Sequence, residues 1–184
     1  NVVRLFNTFG PYQGDDSYGG VIARFVKFAI ASKPMPIYGD GLQRRDYLWI
    51  DDALNAYLFA LTNRFNGPMN FGTGTTVSII DLARDMHRLG MGPNARALGG
   101  HPPWEHVEPR PGEVDVLRCD WSKAEQMGWR PTVTFDDGLK RYIAWCGGRE
   151  SGEQSSLSKG AVSAKLGSAA AIPAPVVFDE TTFG

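Results

Sequence analysis

Arg44 and Arg45 stand side by side in residues 34–52, PMPIYGDGLQRRDYLWIDD. An apolar strand-like run, Pro36 to Tyr38, meets a tight turn at Gly39-Asp40-Gly41, and the arginines precede a second apolar run closed by Asp51-Asp52. Two glycines two positions apart admit backbone angles that other residues resist. A guanidinium beside them can grip a phosphate through paired hydrogen bonds. The chemistry on offer is anion binding, although a solvated surface turn carrying two cations fits the same pattern.

The other residues that could do chemistry have plainer readings. His87 lies at helical spacing on a charged face, and His101 and His106 share a loop without zinc-ligand spacing, so no metal is expected. Asp51-Asp52 and Asp136-Asp137 could act as paired carboxylates, but each pair directly precedes a helical pattern, and capping accounts for them. Cys119 and Cys146 form no metal motif and no disulfide framework, which points to buried free thiols in a reducing compartment. Trp49, Trp121, Trp129 and Trp145 read as packing residues, not stacking platforms. A formal charge of −1 over 184 residues gives no general field for nucleic acid, so any anion site must be local. No apolar run approaches the roughly 20 residues of a membrane helix, and no leader pattern opens the chain. A cytoplasmic protein without a membrane partner is the expectation.

The elements that must position these residues follow from periodicity. Residues 2–6 read as a strand leading into the loop Asn7-Thr8-Phe9-Gly10-Pro11, and a helix is predicted over about 21–32. Pro34 and Pro36 end it and favour an extended backbone into Ile37-Tyr38. Tyr47 to Ile50 reads as a strand, and Asp51 or Asp52 as the cap of a helix to about Thr62 whose apolar stripe is Leu54, Tyr57, Leu58 and Leu61. After a strand at 69–72, Ser78 caps a helix over about 79–89, with Gly90 as its stop. Residues 91–112 read as a loop that includes His101, His106 and Arg110. A short strand from Val114 to Leu117, a helix over 121–127 capped by Asp120, and a last helix from the Asp136-Asp137 cap to about Trp145 complete the pattern. Residues 147–171 are rich in Gly, Ser, Ala, Lys and Glu and read as a flexible linker; 172–184 reads as a tail or the start of a further unit.

The order of these pieces resembles the C-terminal, substrate-binding half of the extended short-chain dehydrogenase/reductase family, the NAD-dependent nucleotide-sugar epimerases and dehydratases. The resemblance is carried by RLFNTFGPYQ, GGVIARF, PIYGDGLQRRDYLWIDD, MNFGTG and RPGEVDVLRCDWSKAEQMGWRP, in the family's order over residues 2–146. It implies an α/β fold: the C-terminal part of a Rossmann-like sheet with a small substrate-binding lobe. By the same resemblance Asn7 and Arg45 contact the diphosphate of a nucleotide sugar, Ile22 lines the nucleotide, Pro36 and Tyr38 flank its base, and Arg110 reaches phosphate or ribose. Arg44 is the weaker partner. GPYQGDDSYGGVIARF is similar to 4-epimerases, PIYGDGLQRRD also to dTDP-glucose 4,6-dehydratases, and RLFNTFGP to UDP-glucuronate decarboxylases.

Against this pattern, the family's Gly-rich dinucleotide loop and its Tyr-x-x-x-Lys pair are absent from residues 1–184. Gly39-x-Gly41 lacks the third glycine and the strand–helix setting, and neither Tyr38 nor Tyr142 has a lysine four residues later. The resemblance therefore implies NAD or NADP in a complete enzyme, no tight cofactor binding by this chain alone, and no catalytic residue within it. The expected partners are a nucleotide-diphosphate sugar and either a separate chain supplying the Rossmann half or a second copy. The alternative of another class is a truncated, non-catalytic nucleotide-sugar or partner binder. The composition of 147–171 cannot offset the ordering entropy of about 1–2 kcal/mol per residue. Trypsin should therefore cut first at Arg149, Lys159 or Lys165 and leave a core ending near Cys146, and first cleavage inside residues 1–146 would overturn this boundary.

Overall fold

In the computed structural model, which describes residues 1–14, 20–89 and 103–150 and side chains as far as Gly147, the opening apolar run forms strand β1, Val2–Leu5. Strand β2, Thr8–Phe9, follows, and then helix α1, Val21–Ile30, which turns Ile22, Phe25, Val26 and Ala29 into the core. Ser32 takes a left-handed φ of 54° just beyond the helix, and the chain enters β3, Met35–Tyr38. Next come β4, Arg44–Arg45, β5, Leu48–Trp49, and α2, Ile50–Thr62. After them lie β6, Pro68–Phe71, β7, Val77–Ser78, and α3, Ile79–Arg88. The last elements are β8, Trp104–Val107, β9, Val116–Leu117, α4, Ser122–Gln126, and α5, Phe135–Glu150.

Parallel pairing dominates. Val2 to Leu5 of β1 lie opposite Pro68 to Phe71 of β6, β2 pairs with β5, and β3 with β8, all in parallel. Parallel partners need long crossovers, and helices α1 and α2 both lie between β1 and β6 in the chain. Strand β4 is the centre of a three-stranded sheet, antiparallel to β7 and parallel to β9. This is the partial α/β architecture expected from the resemblance. One core cluster gathers Phe9, Phe25, Met35, Ile37, Trp49, Leu82 and Leu139; a second gathers Leu48, Ala53, Ala56, Phe71, Ala124 and Trp129. Edge-on aromatic contacts close both, Phe9 with Trp49 at 5.4 Å and Phe71 with Trp129 at 4.9 Å. Among the described residues no helix is long and apolar enough to cross a membrane.

Two buried carboxylates tie distant segments together. Asp46 is fully buried and accepts hydrogen bonds from Thr73 N–H (3.0 Å), Thr73 Oγ1 (2.7 Å), Gly74 N–H (2.8 Å) and Cys119 N–H (3.1 Å). Asp52, also fully buried, accepts from Thr132 N–H and Oγ1 and from Val133 N–H. A buried charge is tolerated only when its oxygens are met in this way. Cys119 beside Asp46 is a buried thiol whose pKa burial, with Asp46 and Asp120, pushes up to about 12, so it stays protonated and unreactive.

The structure corrects several expectations. Asp51 and Asp52 do not cap α2: β5 runs directly into the helix, Trp49 takes the N-cap position, Asp51 accepts from Trp49 Nε1 at 2.9 Å, and Asp52 turns inward. Asp136 and Asp137 lie in the first turn of α5, whose start is held by Thr134 Oγ1 accepting the Asp137 N–H. The apolar stripe of α2 points outward, with Leu54, Tyr57, Leu58 and Leu61 at 54, 51, 59 and 82% exposure, while the small residues Ala53 and Ala56 bring the helix close to the core. Residues 104–107, read as loop, pair with β3 because the edge of that strand lacks another partner among the described residues. Ser78 does cap α3, accepting the Asp81 N–H at 3.1 Å. Helix α5 continues to Glu150, past the expected end; the remainder of the linker and tail, with Gly90 and His101, lies outside the described residues.

Replacing Asp46 by Asn puts an amide donor among four donors. Urea unfolding should show a loss of about 2–4 kcal/mol. An unchanged midpoint would remove Asp46 from its organising role.

Candidate functional site

Six separated stretches supply walls of one cavity of about 400 Å³: the segment from the β1–β2 junction to Gln13, the first turn of α1, β3, the run from Gln43 to Tyr47 around β4, the start of α3 at Ile79 and the turn at 110–113. The structure brings Asn7, Ile22, Pro36, Tyr38, Arg45 and Arg110 together on its lining. Adjacent residues in a strand face opposite ways, and this separates the paired arginines. Arg45 faces the cavity, while Arg44 is exposed on the other side, donating from Nε to Thr76 Oγ1 (3.0 Å) and from Nη2 to the Thr76 carbonyl (2.7 Å).

Three polar side chains of the cavity are braced. Asn7 Nδ2 donates to the Asp46 carbonyl at 2.7 Å, and Gln43 Nε2 to the Tyr38 carbonyl at 3.0 Å. Arg45 donates from Nη1 to the Arg44 and Val114 carbonyls (2.9 and 2.6 Å) and from Nη2 to Glu113 Oε1 (2.6 Å). With 15% of its side chain exposed, it is held as firmly by the 113–114 segment as by its own strand. The turn that carries Arg110 closes through Gly112, at a φ of 71°, and returns Glu113 to the cavity. His106 lies on β8, not in a loop, with Nδ1 2.7 Å from the Gly39 carbonyl, outside the cavity lining.

Tyr38 is the meeting point of two cations. The Arg110 guanidinium stacks 3.8 Å from the ring centroid, and that of Arg24 lies 6.0 Å away. Hydrogen bonding from Arg110, then from Arg24, holds the phenol below its ordinary value of 10. Tyr47, also on the lining, is buried, and its hydroxyl finds no partner among the described residues; burial raises its pKa. The sequence reading missed Arg24, Glu113, Gln13 and Tyr47. Arg24 was within reach of it, since Arg24 sits three residues after Val21 on one helix face, and both line the cavity. Glu113 gave no such signal, because its pairing with Arg45 spans 68 residues.

Gly39 and Gly41 have positive φ angles of 64° and 77°, but their turn joins two strands and presents no helix N-terminus. That turn therefore does not fit the pyrophosphate of a dinucleotide. No group of three or more His, Cys, Asp or Glu among the described residues is placed to hold a metal ion.

A direct check of the site is the Tyr38 phenol. Followed by NMR, it should ionise below its ordinary value of 10, and Arg110→Ala should return it upward by removing the largest cause of the shift. Identical titration in both proteins would contradict the stacked arrangement.

Comparison with known proteins gives the family. The family model for GDP-mannose 4,6 dehydratase matches residues 1–142. A UDP-N-acetyl-alpha-D-glucosaminuronate decarboxylase from Bacillus cytotoxicus is 34% identical over 147 residues, 78% of this chain and 45% of that protein. Among solved structures, the UDP-glucose 4-epimerase of Thermotoga maritima with UDP-glucose superposes with a TM-score of 0.70 at 29% identity, over 82% of this chain and 46% of that one. The UDP-glucuronic acid 4-epimerase of Bacillus cereus, in complex with UDP-glucuronic acid and NAD, gives 0.68 at 27% identity, over 80% and 45%. The chain spans about half the length of the curated relatives it matches. With its parallel α/β architecture, it belongs to the GDP-mannose 4,6 dehydratase family, among the NAD-dependent epimerases and dehydratases of the extended short-chain dehydrogenase/reductase group.

Proposed function

We propose that this chain is the nucleotide-sugar-binding portion of an NAD(P)-dependent sugar-nucleotide 4-epimerase. The observation that carries the reading is the convergence of Asn7, Ile22, Pro36, Tyr38, Arg45 and Arg110 on one cavity. A nucleoside diphosphate needs cationic donors, a polar amide and an apolar wall for its base. Arg45 and Arg110 are the cations, Asn7 the amide, and Ile22, Pro36 and the Tyr38 ring the wall. The two 4-epimerase structures with UDP-sugars support the substrate class, and the likeness of GPYQGDDSYGGVIARF to 4-epimerases supports the choice over dehydratase or decarboxylase.

None of the six tyrosines has a lysine four residues later, so the proton and hydride chemistry is assigned to a complementing Rossmann half. Its docking face is the exposed stripe Leu54, Tyr57, Leu58 and Leu61 on α2, together with the edge of β1, whose partner among the described residues is β6 alone. A contiguous apolar face beside an open parallel strand is what a further βα unit covers.

Arg45→Ala should weaken UDP or dTDP binding by about 1.5–3 kcal/mol in calorimetry, the range for a charged hydrogen-bond partner. Equal affinities in variant and parent would leave Arg45 as a structural tie to Glu113 and Val114.

A further inference from the structure

Tyr12 takes a φ of 67°, in the left-handed region that a bulky side chain rarely occupies, and it is 84% exposed. The strain has a local cause. Gln13 N–H donates to the Gly10 carbonyl at 3.3 Å and closes a four-residue turn with Pro11 second and Tyr12 third, where a positive φ favours glycine. Tyrosine is therefore held there by something outside the turn. Its ring packs edge-on against Trp145 at 5.2 Å, Trp145 stacks on the buried Tyr142 at 5.9 Å, and Tyr142 meets Phe9 edge-on at 6.5 Å. Phe9 and Tyr12 thus grip Tyr142 and Trp145, which lie about one turn apart on α5, and the strained turn is fastened to the helix at two points.

What the turn presents is the Gln13 carboxamide, on the lining of the cavity. Its Nε2 donates to the Thr8 carbonyl at 3.1 Å and lies so close to Gly20 that a Cβ there would come within 2.8 Å of it. A carbonyl accepts only from the nitrogen, so the amide faces one way and Oε1 is left over. That oxygen is buried and finds no partner among the described residues. A buried acceptor is costly until a donor reaches it, and the ligand group that suits it is a hydroxyl or an amide N–H. We propose that Tyr12 is a positioning residue: its contact with Trp145 holds the strained turn that aims Gln13, and Gln13 Oε1 selects a ligand carrying a neutral hydrogen-bond donor. The inference rests on the nucleotide-sugar reading for where that donor sits. Gln13 is tied to Thr8, next to the Asn7 amide, whereas the wall for the base is on β3, so the donor belongs to the sugar.

The test is calorimetry of the full 184-residue chain with UDP, UDP-glucose and UDP-N-acetylglucosamine, read as the advantage of the tighter sugar nucleotide over UDP, with the thermal midpoint followed beside it. Tyr12→Gly and Tyr12→Asn suit a left-handed turn and remove the ring. Either should keep the midpoint and the UDP affinity while losing about fivefold or more of that advantage, the effect of one neutral hydrogen bond. Tyr12→Phe, which keeps the ring, should retain the advantage, and Gln13→Met, which lacks the acceptor, should lose it. An advantage unchanged in Gln13→Met or in both ring-removing variants overturns the proposal. So does a loss matched by a fall in midpoint and in UDP affinity, the mark of a merely structural role. A parent that binds UDP and both sugar nucleotides equally overturns the positioning role and leaves the nucleotide reading standing, and a parent that binds none of the three sinks both.

Discussion

The structure depends most on the buried carboxylate of Asp46. Its side-chain oxygens collect the loop after β6, through Thr73 and Gly74, and the strand end at Cys119, while its carbonyl accepts Asn7 from the β1–β2 junction. One residue thus joins four chain segments. The cost of burying its charge is met by four donors, and the packing leaves no room for alternatives: a Cβ on Gly72 would sit 2.4 Å from Cys119 Cβ and 3.2 Å from Asp46 Oδ2. Because Arg45 precedes Asp46, fixing the acid fixes the cation. The guanidinium is carried into the cavity by the residue that anchors the strand.

The cavity is built from segments far apart in sequence, so its geometry is a tertiary property. Arg45 is steadied by Glu113, 68 residues away, and Tyr38 by the stacked Arg110, which the same 110–113 turn supplies. That turn is a joint support for two walls. The Gly112 φ of 71° belongs to a backbone region in which a side chain would be strained, so closing the turn relies on glycine there. Movement of the turn would release Arg45 and uncover the Tyr38 ring together, which couples the two ends of the cavity through a single backbone segment.

Much of the fold was legible because helices α1 and α3 carry their buried residues at helical spacing, and because Ser78 announces the start of α3. The six candidate residues on the cavity were named through the resemblance; residue types alone left Arg44 and Arg45 open between an anion site and a solvated turn. What separates the two arginines is strand alternation, and a two-residue strand, β4, gives no periodic signal. The acids at 51–52 and 136–137 were read as caps because local spacing cannot reveal partners 80 residues distant, which is where Asp52 finds Thr132. The stripe on α2 shows a further limit: periodicity identifies an apolar face without saying what covers it. A helix approached closely through Ala53 and Ala56 leaves its large residues, Leu54, Tyr57, Leu58 and Leu61, exposed.

That outward face bears unequally on the two cores. Helix α2 packs with β1, β6 and Trp129 in the second cluster, whereas Ile22, Phe25, Ile37 and Tyr47, which hold the cavity walls, belong to the first. Cover on α2 stabilises the β1–β6 pair directly, since a two-stranded parallel sheet with one helix has little area to bury. Its influence on the cavity must pass through the links between the clusters, which include the β2–β5 pairing and the Trp49 Nε1 bond to Asp51 on α2, and two more run through buried carboxylates: Asp52, from α2 to 132–133 before α5, and Asp46, just after β4, to the loop after β6. Both are charged groups in the interior, where small shifts in geometry carry large electrostatic consequences. The exposed stripe of α2 and the cavity walls therefore belong to different clusters, and the buried carboxylates of Asp46 and Asp52 are among the groups that join them.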